Sequence, residues 1–207
     1  MIRKFLVYCQ SDGLRPALAF AFKTLAPWLF GRSTTLFFHL GAYEFEKSPS
    51  SDLLKQEQID IQRLNSLNFP RLRLLPCGEW LTNGSRLYVT FATGNRPVAF
   101  TWTHFHQYSI HGLGNIHLSD NECWIGPTFV HKEYRGKGIN KAQILHQMAE
   151  AQGMTFYTSV NAKNLPSIHS FLHFGFKEIG RTVAKRNLLR QPSTIEVTGK
   201  IKEKISL

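Results

Sequence analysis

The sequence predicts a mixed α/β fold of the α+β type, with a central sheet that is mostly antiparallel. Two alternating segments, residues 86–92 and 97–105, are joined by the turn residues Thr93-Gly94-Asn95-Arg96 and predict a hairpin. A strand, a helix and a second strand follow over residues 122–160. That order is typical of a right-handed crossover between parallel neighbours.

The remaining elements follow from hydrophobic spacing and from turn residues. Residues 1–80 are expected to form an N-terminal, partly helical elaboration of the same domain, on the acceptor side, and residues 81–207 the core. The predicted elements in chain order are a helix over 14–26, a strand over 34–40, a helix over 53–67, the hairpin strands, a loop over 106–121, a strand over 122–130, a helix over 139–152, a strand over 155–160, a short helix over 165–174, and a closing hairpin over 177–189 and 194–201.

The composition indicates a globular protein with anionic partners. The chain has 207 residues, of which 43% are hydrophobic, so it can form one domain with a real core. Its net charge of +11 favours a phosphorylated cofactor, nucleic acid or an anionic membrane surface. The basic residues are scattered along the chain, which argues against nucleic acid as the partner.

The expected location is the cytoplasm, with a membrane-surface contact as an open alternative. Cys9, Cys77 and Cys123 form no CxxC pair, which suits a reducing compartment. Residues 14–30 are apolar, but prolines and two basic residues interrupt them. They predict a core helix or a helix on a membrane surface rather than a spanning helix.

The segment from Thr128 to Lys141 (TFVHKEYRGKGINK) predicts a phosphate site. A hydrophobic strand leads into Arg135-Gly136-Lys137-Gly138 and then into a helix, whose first N–H groups have no partner within the helix. Glycines allow this backbone to approach a pyrophosphate, and Arg135 and Lys137 add positive charge. The dinucleotide motif would need a third glycine, and the triphosphate loop would need Gly-Lys-Ser/Thr, so neither matches.

These residues resemble the GNAT superfamily of acetyl-CoA-dependent N-acetyltransferases. The segment Arg135–Asn140 matches its motif [Q/R]-x-x-G-x-[G/A] at all but the last position. Residues 161–176 (NAKNLPSIHSFLHFGF) resemble its second motif, an Asn, a helix and Gly-Phe. The resemblance is strongest over residues 124–176. It implies a GNAT-like fold, with acetyl-CoA or a related acyl-CoA as co-substrate.

The resemblance also implies which residues bind the cofactor. The end of the strand would splay from its neighbour, so that its backbone binds the thioester carbonyl and the pantetheine arm. The turn that contains Gly136 and Gly138, called the glycine turn below, would hold the pyrophosphate together with the helix start. An asparagine would bind the cofactor arm. The residues assigned in this way are Thr128, Phe129, Val130, Arg135, Gly136, Lys137, Gly138, Ile139, Asn140, Lys141 and Asn164.

The sequence departs from the family pattern at two positions. Asn140 replaces a small residue at the helix start, which predicts weaker or altered cofactor binding. Phe171 occupies the position of the usual tyrosine acid, so Ser167 and Tyr157 are the alternative acids. The reaction can also proceed without an acid, because a thiolate with a pKa of about 8.5 is a tolerable leaving group.

Three residues are candidates for the general base. Glu122 begins a strand, and His104 and His106 are expected on one face of the preceding hairpin strand. A metal is not expected, because no three or four ligands converge in the sequence pattern.

The predicted function is transfer of an acetyl or other short acyl group to a primary amine of a small molecule, an amino sugar or a protein. One alternative is a CoA-binding regulatory module without activity, which Phe171 and Asn140 favour. Another is a basic protein that binds membranes or nucleic acid. A homodimer is a further expectation from the family resemblance.

Overall fold

A computed structural model of the chain describes residues 32–42, 55–110, 113–186 and 192–206. The helix predicted over residues 14–26 lies outside the described residues. None of the helices described is long and apolar enough to cross a membrane.

The described elements alternate between strands and short helices. The strands are β1 (Arg32–Leu40), β2 (Lys55–Ile59), β3 (Arg86–Ala92), β4 (Arg96–Phe105), β5 (Gln107–Ile110), β6 (Gly114–His117), β7 (Glu122–Val130), β8 (Thr155–Asn161), β9 (Lys177–Arg186), β10 (Pro192–Gly199) and β11 (Ile205–Ser206). The α-helices are α1 (Ile61–Ser66), α2 (Cys77–Thr82), α3 (Ile139–Glu150) and α4 (Leu165–His173). Short 3-10 helices are Leu72–Leu74, Thr93–Asn95, Lys132–Tyr134 and Lys200–Lys204.

The chain forms two compact units, and neither is contiguous in sequence. Among the described residues, unit 1 comprises residues 55–104 and 125–151, and unit 2 comprises residues 32–42, 105–124 and 152–206, with the gaps given above. The strand β7 passes from unit 2 into unit 1 after Trp124.

Unit 1 is built on strands in the hydrogen-bonding order β2, β3, β4 and β7. The pairs β2/β3 and β3/β4 are antiparallel. One face of these strands packs into an apolar cluster with α1, α2 and the segment between them. The buried members of this cluster are Ile59, Phe69, Leu72, Cys77, Leu87, Val89, Phe91, Phe100 and Trp102.

The helix α3 packs on β3 and β4 through a polar layer. Gln147 is fully buried; it accepts a hydrogen bond from Thr101 at 3.1 Å and donates one to Thr103 at 2.8 Å. Gln143, also fully buried, donates to Thr90 at 3.1 Å. Because a buried polar group without a partner is costly, these bonds favour one position of α3 on the two strands.

Unit 2 is built on strands in the order β10, β9, β1, β8 and the first part of β7. β1 pairs antiparallel with both β8 and β9, whereas β7 and β8 are parallel. A small sheet of β11, β6 and β5 belongs to the same unit. The buried members of the unit 2 core are Phe37, Leu113, Ile116, Leu118, Trp124, Tyr157 and Ile201.

The predicted fold class is confirmed, because antiparallel pairs predominate and one strand–helix–strand crossover joins parallel neighbours. Two predicted elements are wrong. The helix expected over residues 53–67 is the strand β2 followed by α1, which begins after the N-cap Asp60. The loop expected over residues 106–121 contains the hairpin of β5 and β6. The boundary at residue 80, between the N-terminal elaboration and the core, stays a prediction.

Candidate functional site

The turn between β7 and α3 has the backbone geometry that an anion site at a helix start requires. Gly136 and Gly138 have φ angles of 76° and 77°, which residues with a side chain rarely adopt. Gly138 is the N-cap of α3, and within the described residues no side chain caps the helix there. The first N–H groups of α3 can therefore donate to an anion, which the helix dipole also favours.

Basic side chains surround this turn. The Arg135 Nε atom donates to the Val130 carbonyl at 3.0 Å, which ties the turn to the end of β7. The Lys137 ammonium lies 5.0 Å and the Arg96 guanidinium 6.0 Å from the centroid of the Tyr134 ring. Arg96 was not among the predicted residues, because it begins β4 and is distant in the chain from Tyr134. Arg96 also pairs with the Glu133 carboxylate at 3.4 Å, which offsets part of this positive charge.

The end of β7 is held by aromatic packing within unit 1. The Phe129 ring stacks on Phe100 with centroids 5.7 Å apart and meets the edge of Phe69 at 5.8 Å. The Arg71 guanidinium lies 5.0 Å from the centroid of the Phe129 ring. Thr128, Phe129 and Val130 are all partly exposed. This strand end is thus positioned firmly while part of it remains accessible.

The second motif forms the expected helix in unit 2. Asn164 immediately precedes α4 and is exposed, and its side chain makes no capping bond to the helix. Phe171 is 4% exposed and packs against Phe176, with ring centroids 5.1 Å apart. Ser167 is partly buried. The phenylalanine at the usual acid position is thus a core residue, and the roles of Asn164 and Ser167 stay predictions.

Two predicted residues, Glu122 and Tyr157, lie together in unit 2. The Tyr157 hydroxyl donates to Glu122 Oε1 at 2.9 Å, and the Ser119 N–H donates to Oε2 at 2.9 Å. The Lys204 ammonium lies 2.7 Å from both carboxylate oxygens and 4.9 Å from the centroid of the Tyr157 ring. Sequence reasoning missed Lys204, since nothing near it in the chain points to Glu122.

These contacts determine the acid–base properties of both groups. Partial burial alone would raise the pKa of Glu122, but the bonds from Lys204, Ser119 and Tyr157 outweigh it and lower that pKa. Burial, followed by the bond to Glu122 and the charge of that carboxylate, raises the pKa of Tyr157. With Lys204 in place, Glu122 is therefore a weak base and Tyr157 a weak acid.

His104 has surroundings that do not suit the predicted base. It is 1% exposed, and its ring lies against Trp80 and Trp102 with centroids 4.6 Å and 5.8 Å away. The Ser85 hydroxyl lies 2.9 Å from its Nδ1 atom, and the ring also bonds to the Gly126 backbone. Burial lowers the pKa of His104 to about 4. The geometry favours a neutral ring that links Ser85 to β7.

His106 is not on the strand face expected for it. β4 ends at Phe105, and His106 is an exposed residue of the following bend, with a φ angle of 65°. The alternation that would place it beside His104 therefore does not extend to it. Among the described residues, no group of three or more His, Cys, Asp or Glu side chains could hold a metal ion.

The sequence matches the family model described as Acetyltransferase (GNAT) family over residues 52–176. This match covers more than half of the chain and includes β7, the glycine turn, α3 and α4. The chain therefore belongs to the GNAT acetyltransferase family, whose common chemistry is acyl transfer from acyl-CoA. No curated protein matches the sequence.

Solved structures share the fold at low sequence identity. A GNAT-family acetyltransferase from Novosphingobium aromaticivorans has a TM-score of 0.52 and 17% identity, over 73% of this chain and 62% of its own. A functionally unknown protein from Staphylococcus epidermidis has a TM-score of 0.52 and 11% identity, over 77% of this chain and 63% of its own. A GCN5-related N-acetyltransferase from Sphaerobacter thermophilus has a TM-score of 0.50 and 11% identity, over 79% of this chain and 54% of its own. The chain thus spans less than two thirds of the length of each.

Proposed function

We propose that this protein transfers an acetyl or other short acyl group from acyl-CoA to a primary amine. The observation that carries the proposal is the turn before α3, where Gly136 and Gly138 both have positive φ angles and the helix start has no side-chain cap among the described residues. A pyrophosphate is the anion that fits several N–H donors together with nearby basic side chains. The family match over the same residues supports this proposal.

In the proposed complex, the N–H groups of Ile139, Asn140 and Lys141 donate to the pyrophosphate of acyl-CoA. The side chain of Lys137 adds positive charge, while Arg135 holds the turn to β7 through the Val130 carbonyl. Asn140 follows the helix start and can donate its own amide to a phosphate oxygen. Asn164 is proposed for the cofactor arm.

The proposed reaction is direct attack of the amine nitrogen on the thioester carbonyl, with the C–S bond breaking and the CoA thiolate leaving. Backbone N–H groups of Phe129 and Val130 are proposed to stabilise the developing oxyanion, an effect typically worth about 3–4 kcal/mol per donor. Holding the two substrates together removes much of the entropic barrier. A base, or a water chain that leads to one, takes the proton of the attacking amine, and Glu122, seven residues before Phe129 on β7, is proposed for this role through such a chain.

A calorimetric titration of acetyl-CoA and CoA into the purified protein tests the cofactor site. We expect micromolar binding by the wild type and loss of binding in Gly138→Glu. The glutamate would place a negative charge at the helix start and strain the positive φ angle. Gly153→Glu is the matched control, because Gly153 has a φ angle of 82° but lies after α3.

The control separates backbone strain from loss of the anion site. Binding that Gly153→Glu retains and Gly138→Glu loses would support the proposed turn. If the wild type binds neither acetyl-CoA nor CoA, the proposal fails. Binding in the wild type justifies screening primary amines with a thiol-release assay.

A CoA-binding module without activity is the second candidate. The bonds that engage Glu122 and Tyr157, together with the buried Phe171, favour it. Tight acetyl-CoA binding with no thiol release on any amine in a broad screen would support this candidate. Thiol release with even one amine, abolished in Gly138→Glu, would exclude it.

The acceptor and the location are separate parts of the proposal. The amine could belong to a small molecule, an amino sugar or a protein, and a homodimer is proposed from the family resemblance. A cytoplasmic location is proposed from the cysteine pattern, with membrane-surface contact through the apolar residues 14–30 as the alternative.

A further inference from the structure

The helix α4 exposes two large apolar side chains to solvent. Leu165 is 57% exposed and Leu172 is 49% exposed; among the residues that the structure describes, the other exposed hydrophobic side chain of this size is Ile61, at 48%. Leu165 and Leu172 are seven residues apart, so at about 100° per residue they lie on the same side of the helix. Ile168, which is partly buried, lies at the edge of that side. These three residues of α4 are called the α4 stripe below.

Positive charge flanks the α4 stripe. Residues 161–177, which include α4 and the segments on either side of it, contain no aspartate or glutamate. Four exposed residues in this range are lysine or histidine, namely Lys163, His169, His173 and Lys177. The next acidic residue along the chain, Glu178, is paired with Arg181 at 2.6 Å. An apolar surface with basic residues around it is typical of contact with anionic lipid.

The start of β1 lies beside the start of α4. Thr35 pairs with Asn161, and the Ala162 N–H group donates to the Thr34 carbonyl at 2.9 Å. The α4 stripe begins three residues after Ala162. Residues 14–30, whose apolar sequence predicts a core helix or a helix on a membrane surface, lead into this end of β1. A second apolar segment of the chain is therefore joined to unit 2 close to α4.

We propose that the α4 stripe docks on an anionic lipid surface. Its apolar side chains enter the boundary between headgroups and acyl chains, while Lys163 and Lys177 contact the lipid phosphates. With nine residues, α4 is too short to span a bilayer, so it lies along the surface. A lipid surface accounts for the exposed leucines, the flanking charge and the apolar residues 14–30 together.

Docking uses only one side of α4. Ser167 and Phe171 are about 200° and 240° from Leu165 around the helix axis, which places them on the opposite side. Phe171 is buried in the protein on that side. Docking therefore neither requires nor prevents the proposed acyl transfer.

Co-sedimentation of the full chain with vesicles tests the proposal. Vesicles of phosphatidylcholine with about a quarter phosphatidylglycerol are compared with vesicles of phosphatidylcholine alone. We expect the wild type to bind the anionic vesicles. The leucine variant, which combines Leu165→Gln with Leu172→Gln, should bind them at least about ten-fold more weakly, because glutamine keeps the helical propensity of leucine but removes the apolar contact.

A second variant tests the charge. Lys163→Gln with Lys177→Gln should weaken binding to the anionic vesicles by about five-fold for each lysine removed. Ile61→Gln is the matched control for the leucine variant, because Ile61 is similarly exposed but begins α1 in unit 1. It should bind the vesicles as the wild type does.

Three results would overturn the proposal: no binding of the wild type to anionic vesicles, equal binding by the wild type and the leucine variant, or an equal loss of binding in Ile61→Gln. Circular dichroism checks that each variant folds. If the leucine variant does not fold, Leu165→Gln alone replaces it, with the same expected direction.

Two other occupants of the α4 stripe predict different results. If residues of the same chain covered the stripe, the leucine variant would have a lower free energy of unfolding in urea, whereas we expect no change. If a second copy of the chain covered it, the wild type would be dimeric and the leucine variant monomeric in analytical ultracentrifugation. We expect the same oligomeric state for both proteins, and either of the other results would overturn the proposal.

Discussion

At the scale of single residues, His104 shows how packing sets a protonation state. Its ring is 1% exposed, it packs against Trp80 and Trp102, and its Nδ1 atom lies 2.9 Å from the Ser85 hydroxyl. Burial lowers the pKa of this ring to about 4. The folded protein therefore holds His104 neutral at pH values where the unfolded chain would already be protonated.

This difference predicts a pH-dependent stability. Between pH 6.5 and about 4 the unfolded state binds a proton that folded His104 does not, so stability falls as the pH falls through this window. Over this pH window, the protonation of His104 should lower the free energy of unfolding of the wild type by up to about 3 kcal/mol. His104→Gln, which can still bond to Ser85, should lack that part of the slope in urea unfolding measured at several pH values. Parallel stability curves for the two proteins would contradict the assignment.

The residues of the candidate site differ in how far the sequence could indicate them. Gly136 and Gly138 are adjacent to the strand and helix they connect, so local sequence predicts their role. The contact between Lys204 and Glu122 depends on the fold of unit 2, and that between Ser85 and His104 on the fold of unit 1. Local sequence predicts neither of these two contacts, because the residues that form each one are distant in the chain.

At the scale of elements, α3 shows a helix positioned by polar contacts rather than by an apolar face alone. Ile144 and Met148 of its apolar face are fully buried. Gln147 lies beside them, equally buried, and bonds to two threonines of β4. These directional bonds set where the start of α3, and with it the glycine turn, lies on the strands.

Replacing Gln147 with leucine should destabilise the protein by about 1–3 kcal/mol, measured by urea unfolding. The cost arises because Thr101 and Thr103 would keep buried hydroxyls without their partner. Gln152→Leu is the control, since Gln152 is exposed just after the helix.

A second set of variants tests the physical reason. Changing both threonines to valine in the Gln147→Leu background removes the unpaired hydroxyls and should recover a large part of the loss. No recovery would mean that leucine fails for its shape, and that the hydrogen bonds are not the cause.

The structure of the two mispredicted elements depends on strand pairing, which local sequence does not reveal. Residues 55–59 (KQEQI) favour a helix by composition, but they pair with β3 from Lys55↔Phe91 to Ile59↔Leu87. The sheet edge thus overrides their helical propensity. The β5–β6 hairpin is short and polar, and it is stabilised where Tyr108 stacks on Trp124 with centroids 4.9 Å apart.

At the scale of the whole molecule, the net charge of +11 should act on cofactor binding. CoA is a polyanion, and salt screens its attraction to an exposed basic surface. Raising KCl from 50 to 200 mM should weaken CoA binding by about five-fold in calorimetry. Dephospho-CoA, which lacks the 3′-phosphate, should show a smaller change. An affinity independent of salt would mean that neutral contacts dominate.

The fold class was predictable because strand alternation, turn residues and the crossover order agree with one another. The division into two discontinuous units was not, since it depends on which strands pair across long stretches of chain. The family match over residues 52–176 leaves out β1, β9, β10 and β11, all of which belong to unit 2. Part of the unit that holds Glu122 therefore lies outside the family match.

The position of β1 has a consequence for synthesis on the ribosome. In unit 2 it lies between β8 and β9, and Phe37 is paired with Ser159 and Gly180. Ser159 is added roughly 120 residues after Phe37, which takes about 6–25 s at ordinary translation rates. During that interval an apolar, β-prone strand has neither neighbour and can pair with other chains. The yield of folded protein should therefore depend on how well chaperones shield this strand while the rest of the chain is made.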